Sequence, residues 1–259
     1  KNFNQAKIYF DKLKKKSQPG TIQDLLSESL NSWSNFDDIN TALLNLKSLP
    51  NRFDNIKNIQ EVFAYCYFDS NQTDEAFKKL TNNSNINYSR YHFFHINYLM
   101  SKGDIEKAKN ILQYSINLYP TNLILNQLQG DLSQKKISDE FDCKKINHVI
   151  AEILYIVANG LSAQANYTAS NFYLNLAKYL NPDFSSFEIL YAENFEAVRQ
   201  YPEALKSYKG IKKIGSSYSW HASKRIAFIL KKQKKKDEAI KYLKDSFTKV
   251  KNPKIYEIF

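Results

Sequence analysis

The sequence predicts an all-α fold built from repeated pairs of helices. A small residue recurs at the start of a short amphipathic pattern, with spacings of 36, 34, 32, 62, 34 and 35 residues. These small residues are Ala6, Ala42, Ala76, Ala108, Ser170, Ala204 and Ala239. The spacing of 62 is close to two periods and indicates one degenerate unit. With only 6 Gly and 6 Pro among 259 residues, the chain is also poor in the turn residues of a β-sandwich or barrel.

Other positions keep the same register. Nine residues before the small residue there is a large apolar side chain, at Trp33, Tyr67, Leu99, Leu161, Phe195 and Leu230. Twelve residues before it the residue is usually alanine, at Ala64, Ala158, Ala192 and Ala227, with exceptions at Leu30 and Ile96. Pro120 and Pro182 fall where the second helix of a unit should stop, because proline lacks the N–H that continues a helix.

These columns resemble the tetratricopeptide repeat (TPR) family, whose unit is a helix–turn–helix of 34 residues. The turn between the two helices reads Ser101-Lys-Gly-Asp104, Arg199-Gln-Tyr-Pro202 and Lys234-Lys-Lys-Asp237. Residues 174–184 are similar to TPR proteins of alphaproteobacteria. The resemblance implies a right-handed superhelical solenoid of antiparallel helix pairs. It leaves the bacterial cytoplasm and the periplasm both open as locations.

The register places the units along the chain in order. Residues 1–120 should hold the N-terminal units, with a truncated first unit near residues 4–15 and full units near 22–50, 57–82 and 88–119. Residues 121–150 are predicted to be irregular or a degenerate unit. Units near 146–181, 185–213 and 219–250 should fill residues 151–259. The cut first unit and residues 254–259, which look like an incomplete continuation, lead us to expect a piece of a longer protein. No stretch approaches the roughly 18 apolar residues of a membrane span.

The net charge of +11 lies at one end of the chain. The last 60 residues hold 16 basic and 5 acidic residues, whereas the first 199 are neutral overall. The densest run comprises Lys231, Lys232, Lys234, Lys235 and Lys236, which span the end of a predicted helix and the turn after it. Such a run could bind nucleic acid or an anionic membrane, or it could be a solvated turn. Single-strand binding also favours aromatic residues among the lysines, and this run contains none.

Residues suited to catalysis are sparse. His92 and His95 are three apart on one helix but are expected to be packed core histidines. Two cysteines are too few for a disulfide framework, and Cys66 is expected to be a small buried hydrophobe. Nothing in the pattern around Cys143 and His148 indicates a catalytic nucleophile and base. The pair Glu193/Glu196 is expected to be solvated on a helix surface. We therefore expect a non-catalytic protein without a cofactor or a metal.

The TPR resemblance implies a different kind of site, a concave groove lined by the first helix of each unit. Transferred by register, the residues expected to bind a peptide are Tyr65, Arg90, Phe93, Asn97, Glu152, Tyr155, Asn159 and Glu193. The same positions in the last unit are His221, Lys224, Phe228 and Lys231. An alternative is that the rings pack against the neighbouring unit. The expected function is a scaffold that binds a peptide or partner helix, with self-association through the terminal units also open. The alternative function is an electrostatic tether at the basic end.

Overall fold

A computed structural model describes residues 20–34, 37–82, 87–134 and 140–248, together with Gln5, Ile8, Tyr9, Lys12 and Lys15. Within these residues the protein is all-α, with thirteen α-helices, one short 3-10 helix and no strand. This confirms the predicted fold class. The predicted truncated unit at 4–15 lies outside the continuous ranges, and the predicted continuation at 254–259 lies outside the described residues.

The helices follow one another with short connections. They are α1 (Ile22–Ser34), α2 (Ile39–Leu46), α3 (Asp54–Tyr67), α4 (Thr73–Thr81), α5 (Ser89–Ser101), α6 (Ile105–Leu118), α7 (Leu123–Ser133), α8 (Ile146–Ala163), α9 (Tyr167–Leu180), α10 (Ser185–Ala197), α11 (Tyr201–Ile211), α12 (Ser216–Lys232) and α13 (Lys236–Phe247). The 3-10 helix, Asn51–Phe53, precedes α3. The segment predicted to be irregular or degenerate contains α7 and the start of α8. Neighbouring helices pack on each other, most extensively α8 on α9 and α10 on α11.

Five helices end in the same way. Each of α3, α5, α8, α10 and α12 is followed by a residue with positive φ: Asp69, Gly103, Ala165, Arg199 and Lys234. In every case the next residue donates its N–H to the carbonyl five positions earlier, as Asp104 does to Leu99 at 3.0 Å. This is the hydrogen bond of the Schellman motif, which satisfies carbonyls left free at a helix end. These residues are 34, 62, 34 and 35 positions apart, so the turn geometry recurs with the same period as the sequence pattern.

The N-terminal helices (α1–α6) and the C-terminal helices (α8–α13) meet at helix α8. It contacts α1 and α3 as well as α9 and α10, while α7 packs on α12. The contact between α7 and α12 is close at Gly215, where a Cβ would overlap the side-chain amide of Gln127. That amide accepts a hydrogen bond from the Ser217 N–H at 3.2 Å. Gly215 therefore permits a close approach of two helices.

Helix α8 is also the one described helix that is long and apolar enough to cross a membrane by length and composition alone. From the sequence, no stretch was expected to approach the length of a membrane span. Half of this helix is buried inside the fold, and the buried residues include the carboxylate of Glu152. Partial burial of this kind is also found in the core helices of soluble proteins.

Cys66 is buried as expected, and it forms a disulfide with Cys143, a pairing that was not predicted from the sequence. Cys66 lies in α3 and Cys143 just before α8, with their Cα atoms 5.9 Å apart. Between these helices Phe141 packs against Phe63 and Phe94, with ring centroids 5.1 and 4.1 Å away. The cysteines are 77 positions apart in sequence, and it is the packing of residues 140–143 on α3 and α5 that brings them together.

Candidate protein-interaction site

The eight predicted groove residues lie in different environments. Phe93, Asn97 and Glu152 are buried, with 2%, 9% and 0% of their surface exposed. The half-buried residues are Tyr65, Arg90, Tyr155 and Glu193, and Asn159 is exposed. We call the buried surface that includes Arg90, Phe93, Asn97 and Glu152 the closed inner face. We call the surface of α8, α10 and α12 that includes Asn159, Glu193 and Phe228 the open inner face, and both names follow the predicted register.

The closed inner face is held by an ion pair between the N-terminal and C-terminal helices. Arg90 in α5 donates from Nε to Glu152 Oε1 and from Nη2 to Oε2, each at 2.7 Å. The Tyr91 hydroxyl donates to the same carboxylate at 3.4 Å. A two-point contact between a guanidinium and a carboxylate is the strongest geometry for such a pair. Two residues predicted to bind a peptide therefore bind each other.

Aromatic rings surround this ion pair. The Arg90 guanidinium lies 4.1 Å from the ring centre of Tyr155 and 4.3 Å from that of Phe184, distances typical of cation–π contacts. Burial raises the pKa of the Glu152 carboxyl, while attraction to Arg90 opposes that rise. Burial alone would lower the pKa of Arg90, but the charge of Glu152 raises it above the ordinary value. The cation is thus held by both charge and ring contacts.

Phe93 and Asn97 complete the closed inner face. Phe93 stacks on Phe184 with ring centroids 6.1 Å apart. Neither amide atom of Asn97 has a hydrogen-bond partner among the described residues. The ring contact matches the alternative considered for these positions, in which they pack against neighbouring helices. Peptide binding by these two residues stays a prediction.

The open inner face is formed by α8, α10 and α12, which are joined by hydrogen bonds. The Ser162 hydroxyl in α8 donates to Asn194 Oδ1 in α10 at 2.6 Å. Arg225 in α12 donates from Nε to Glu196 Oε2 in α10 at 2.9 Å, and the Tyr208 hydroxyl donates to the same oxygen at 2.9 Å. Glu196 is therefore buried and paired, which corrects the expectation that it is solvated. These bonds hold three helices side by side.

Charged and aromatic side chains line this open face. Glu193 is half-buried as a residue, and 44% of its side-chain surface is exposed. Its partial burial raises the pKa of its carboxyl. Burial and the nearby charges of Lys224 and Arg225 lower the pKa of His221 to about 4, so its ring is neutral at pH 7. Phe228 is 42% exposed. The face combines a carboxylate, cations, an apolar ring and the Asn159 amide.

The basic patch at residues 231–236 is exposed at each of its five lysines. Phe228, one helical turn earlier, lies between two cations: Lys232 Nζ is 5.1 Å and the Arg225 guanidinium 5.3 Å from the ring centre. The fold thus supplies an aromatic neighbour that is absent from the lysine run itself. Helical spacing from Phe228 to Lys232 could have revealed it from the sequence.

The buried histidines are not part of the open face. His92 and His95 are 2% and 1% exposed, which confirms that they are core residues. His95 Nε2 lies 2.7 Å from Asp74 Oδ1, and its ring stacks on Phe77. Among the described residues no group of three or more His, Cys, Asp or Glu could hold a metal ion.

A scan against protein-family models finds no matching family, and a search of curated proteins finds no matching protein. The TPR resemblance therefore depends on the residues and turns of this chain alone. The Arg90–Glu152 pair was not predicted from the sequence. Its two opposite charges occupy equivalent positions two periods apart, a pattern that could have indicated it.

Proposed function

We propose that this chain is a TPR-type repeat protein, a right-handed superhelical solenoid of antiparallel helix pairs. It acts as a non-catalytic scaffold that binds a peptide or a partner helix. Two observations support the TPR part of the proposal: the small residues recur about every 34 positions, and the positive-φ helix ends recur with the same spacing. Repeats of this kind commonly present an extended surface for partners.

The open inner face is the proposed binding surface, and its exposure carries the proposal. Asn159, Glu193, Lys224 and Phe228 all lie at positions that the TPR register assigns to the groove, and none of them is buried. An Asn amide can donate to and accept from the backbone of an extended peptide. An exposed ring can hold an apolar side chain of the partner, while Glu193 and Lys224 can select its polar groups.

The test removes the amide and the ring together and compares an equivalent change elsewhere. Asn159→Ala with Phe228→Ala should weaken partner binding by at least about tenfold. The matched control is Asn175→Ala with Phe172→Ala, since both control residues are exposed on α9. Binding is measured by affinity recovery of the partner, with far-UV circular dichroism to show that both variants fold. Equal recovery by the two folded variants would contradict the assignment of the open inner face.

Nucleic-acid binding at the basic patch is a second candidate, favoured by the position of Phe228 between Lys232 and Arg225. Single-strand sites combine cations with a ring on which a base can stack. Binding of a labelled oligothymidine should weaken steeply as salt rises, and Lys234→Glu with Lys236→Glu should reduce the slope. Anionic vesicles in the same titration test the membrane alternative. Salt-independent binding, or none at low salt, would exclude this candidate.

A further inference from the structure

A second surface lies on the outer side of α10, away from the open inner face. A cleft of about 630 Å³ runs between α10 and α11 beside the end of α9. Tyr191 and Phe195 line it from α10. Residues 191 and 195 are each two positions from Glu193, which places them about 200° around a helix of 3.6 residues per turn. The cleft therefore lies on the side of α10 opposite to Glu193.

The cleft has an apolar floor. Tyr191 and Phe195 pack edge to face with ring centroids 4.5 Å apart, and Ile211 and Ile214 line the side formed by the end of α11 and the turn after it. Ile211 is fully buried, whereas Ile214 remains 36% exposed. The volume falls within the range of sites that take a few side chains or a small molecule. The floor suits aliphatic or aromatic groups.

The cleft itself has charged residues of both signs, whereas a second hollow beside it is basic. Asp183, Glu188 and Glu203 line the cleft together with Lys178 and Lys206, and every charged residue that lines the second hollow is a lysine. Lys178 pairs with Glu188. The second hollow has a volume of about 510 Å³, and it shares Lys206 and Gly210 with the cleft as lining residues. Gly210 has no neighbouring atom within 4 Å of where a Cβ would be, so its missing side chain leaves the passage open.

Three lysines make the second hollow basic. Lys206, Lys209 and Lys213 line the second hollow, and none forms an ion pair with any residue in the described ranges. Lys206 and Lys209, three positions apart, lie along one face of α11, and Lys213 lies in the turn after that helix. A cleft with an apolar floor is therefore continuous with a row of unpaired positive charges.

We propose that this outer cleft, with its floor at Tyr191, Phe195, Ile211 and Ile214, binds an acidic amphipathic segment of another protein. Apolar side chains of the segment enter the cleft, and its carboxylates meet the lysine row. Charge complementarity identifies the partner as acidic, since the charged residues that line the second hollow are Lys206, Lys209 and Lys213. Apolar anchors in a pocket with a charged rim are typical of protein recognition.

Two other anionic partners fit this surface less well. Single-stranded nucleic acid stacks its bases on exposed ring faces, whereas Tyr191 and Phe195 are half-buried and turned edge to face. A bilayer accepts apolar groups that project from a surface, whereas these groups form the floor of a cleft. The outer cleft differs from the open inner face in position and chemistry, so it goes beyond the function proposed above.

The probe is a fluorescein-labelled synthetic peptide of about 14 residues, with leucine at positions spaced three and four apart and glutamate at most others. Its binding to the full chain is measured by fluorescence anisotropy. Lys206→Glu with Lys209→Glu should weaken binding by at least about tenfold. The matched control is Lys241→Glu with Lys244→Glu, which has the same spacing and charge change on exposed residues of α13 and should leave binding within about twofold.

A second variant tests the cleft without changing charge. Gly210→Leu should fill the junction of the two hollows and weaken binding, and because it replaces a helical glycine it should not disturb folding. Gly160→Leu is its control, since a Cβ there also meets no atom within 4 Å. Equal effects of the test and control variants would overturn the proposal. So would tighter binding of oligothymidine or anionic vesicles than of the acidic peptide.

Discussion

Equivalent positions of the predicted groove are buried in α5 and exposed in α8 and α12. Asn97 in α5 is 9% exposed, whereas Phe228 in α12 is 42% exposed and Asn159 in α8 is exposed too. The difference arises because residues 140–143 and α8 pack on α3 and α5. The repeat pattern sets the helix face on which a side chain lies, and contacts between distant units decide whether that face is free.

The largest expected effect comes from breaking the ion pair of the closed inner face. Arg90→Ala or Glu152→Ala leaves the partner's charge buried and unpaired, which should lower the free energy of unfolding by roughly 3–5 kcal/mol. Urea denaturation at pH 7 measures this. The equivalent pair in the open half is Arg225–Glu196, in which Arg225 is 38% exposed. Arg225→Ala should therefore cost clearly less.

A double substitution distinguishes two costs of the single variants: the loss of the ion-pair attraction, and the burial of one charge without its partner. Arg90→Met with Glu152→Leu removes both charges and keeps apolar volume, so this variant should be more stable than either single alanine variant. If the double variant is the least stable of the three, the pair itself is a net source of stability. If neither alanine variant loses stability, the two side chains are not buried together in solution.

Opening the disulfide should have the next largest effect, again on the closed half. Cys66→Ser with Cys143→Ser frees a loop of 77 positions and should lower the free energy of unfolding by roughly 2–4 kcal/mol. The wild-type protein in a reductant should approach the variant's stability, and the variant should not respond to the reductant. Maleimide labelling of two thiols in native, unreduced protein would show that the disulfide is absent.

Two histidines with lowered pKa values, one in each half, should make the protein sensitive to acid. Single variants can show how much each histidine contributes. Burial and the neighbouring His95 lower the pKa of His92 in α5 to about 4, and that of His221 in α12 also falls to about 4. Each folded pKa lies below the unfolded value of about 6.5. The contribution of the neutral histidines to the stability of the folded protein is therefore fully present above pH 6.5. It is lost as the pH falls towards 4.

At pH 5 each histidine should reduce the free energy of unfolding by roughly 1–2 kcal/mol relative to pH 7. His92→Phe and His221→Phe should each remove their share of that pH dependence, whatever they do to stability at pH 7. Urea midpoints at the two pH values measure it. A pH dependence unchanged in both variants would place the acid sensitivity elsewhere, for example at His95 and Asp74.

Local features of this fold were predictable and its long-range contacts were not. Helices α10 and α11 lie within the unit predicted at 185–213. They were predictable because the apolar periodicity and the turn residues that define them are local in sequence. The exposure of the lysine run was predicted from its place at the end of one helix and in the turn that follows. In contrast, the burial of Glu152 and Glu196 and the Cys66–Cys143 bond depend on which distant helices meet. A repeat pattern is the same whether a groove is open or occupied by the chain itself.

The helix ends offer the smallest effect and a last contrast between the halves. The C-terminal helices have Ala165, Arg199 and Lys234 at positive φ, a conformation that costs a residue with a Cβ more than it costs glycine. The N-terminal helices have Gly103 and Asp69 there, and Asp tolerates this region better than most side chains. Arg199→Gly and Lys234→Gly should therefore each raise the free energy of unfolding by roughly 0.5–1 kcal/mol, and Asp69→Gly by less.

Gly103→Ala is the reciprocal change, because it introduces a Cβ at φ 82° where no atom lies within 4 Å. It should be destabilising by a similar amount through backbone conformation alone. Thermal unfolding of the four single variants checks the set. Gains at residues 199 and 234 together with a loss at residue 103 would support a left-handed conformation at those three helix ends. A loss at residue 199 or 234 would mean that the turn there is not left-handed, and the agreement between turn period and sequence period would fail at that unit.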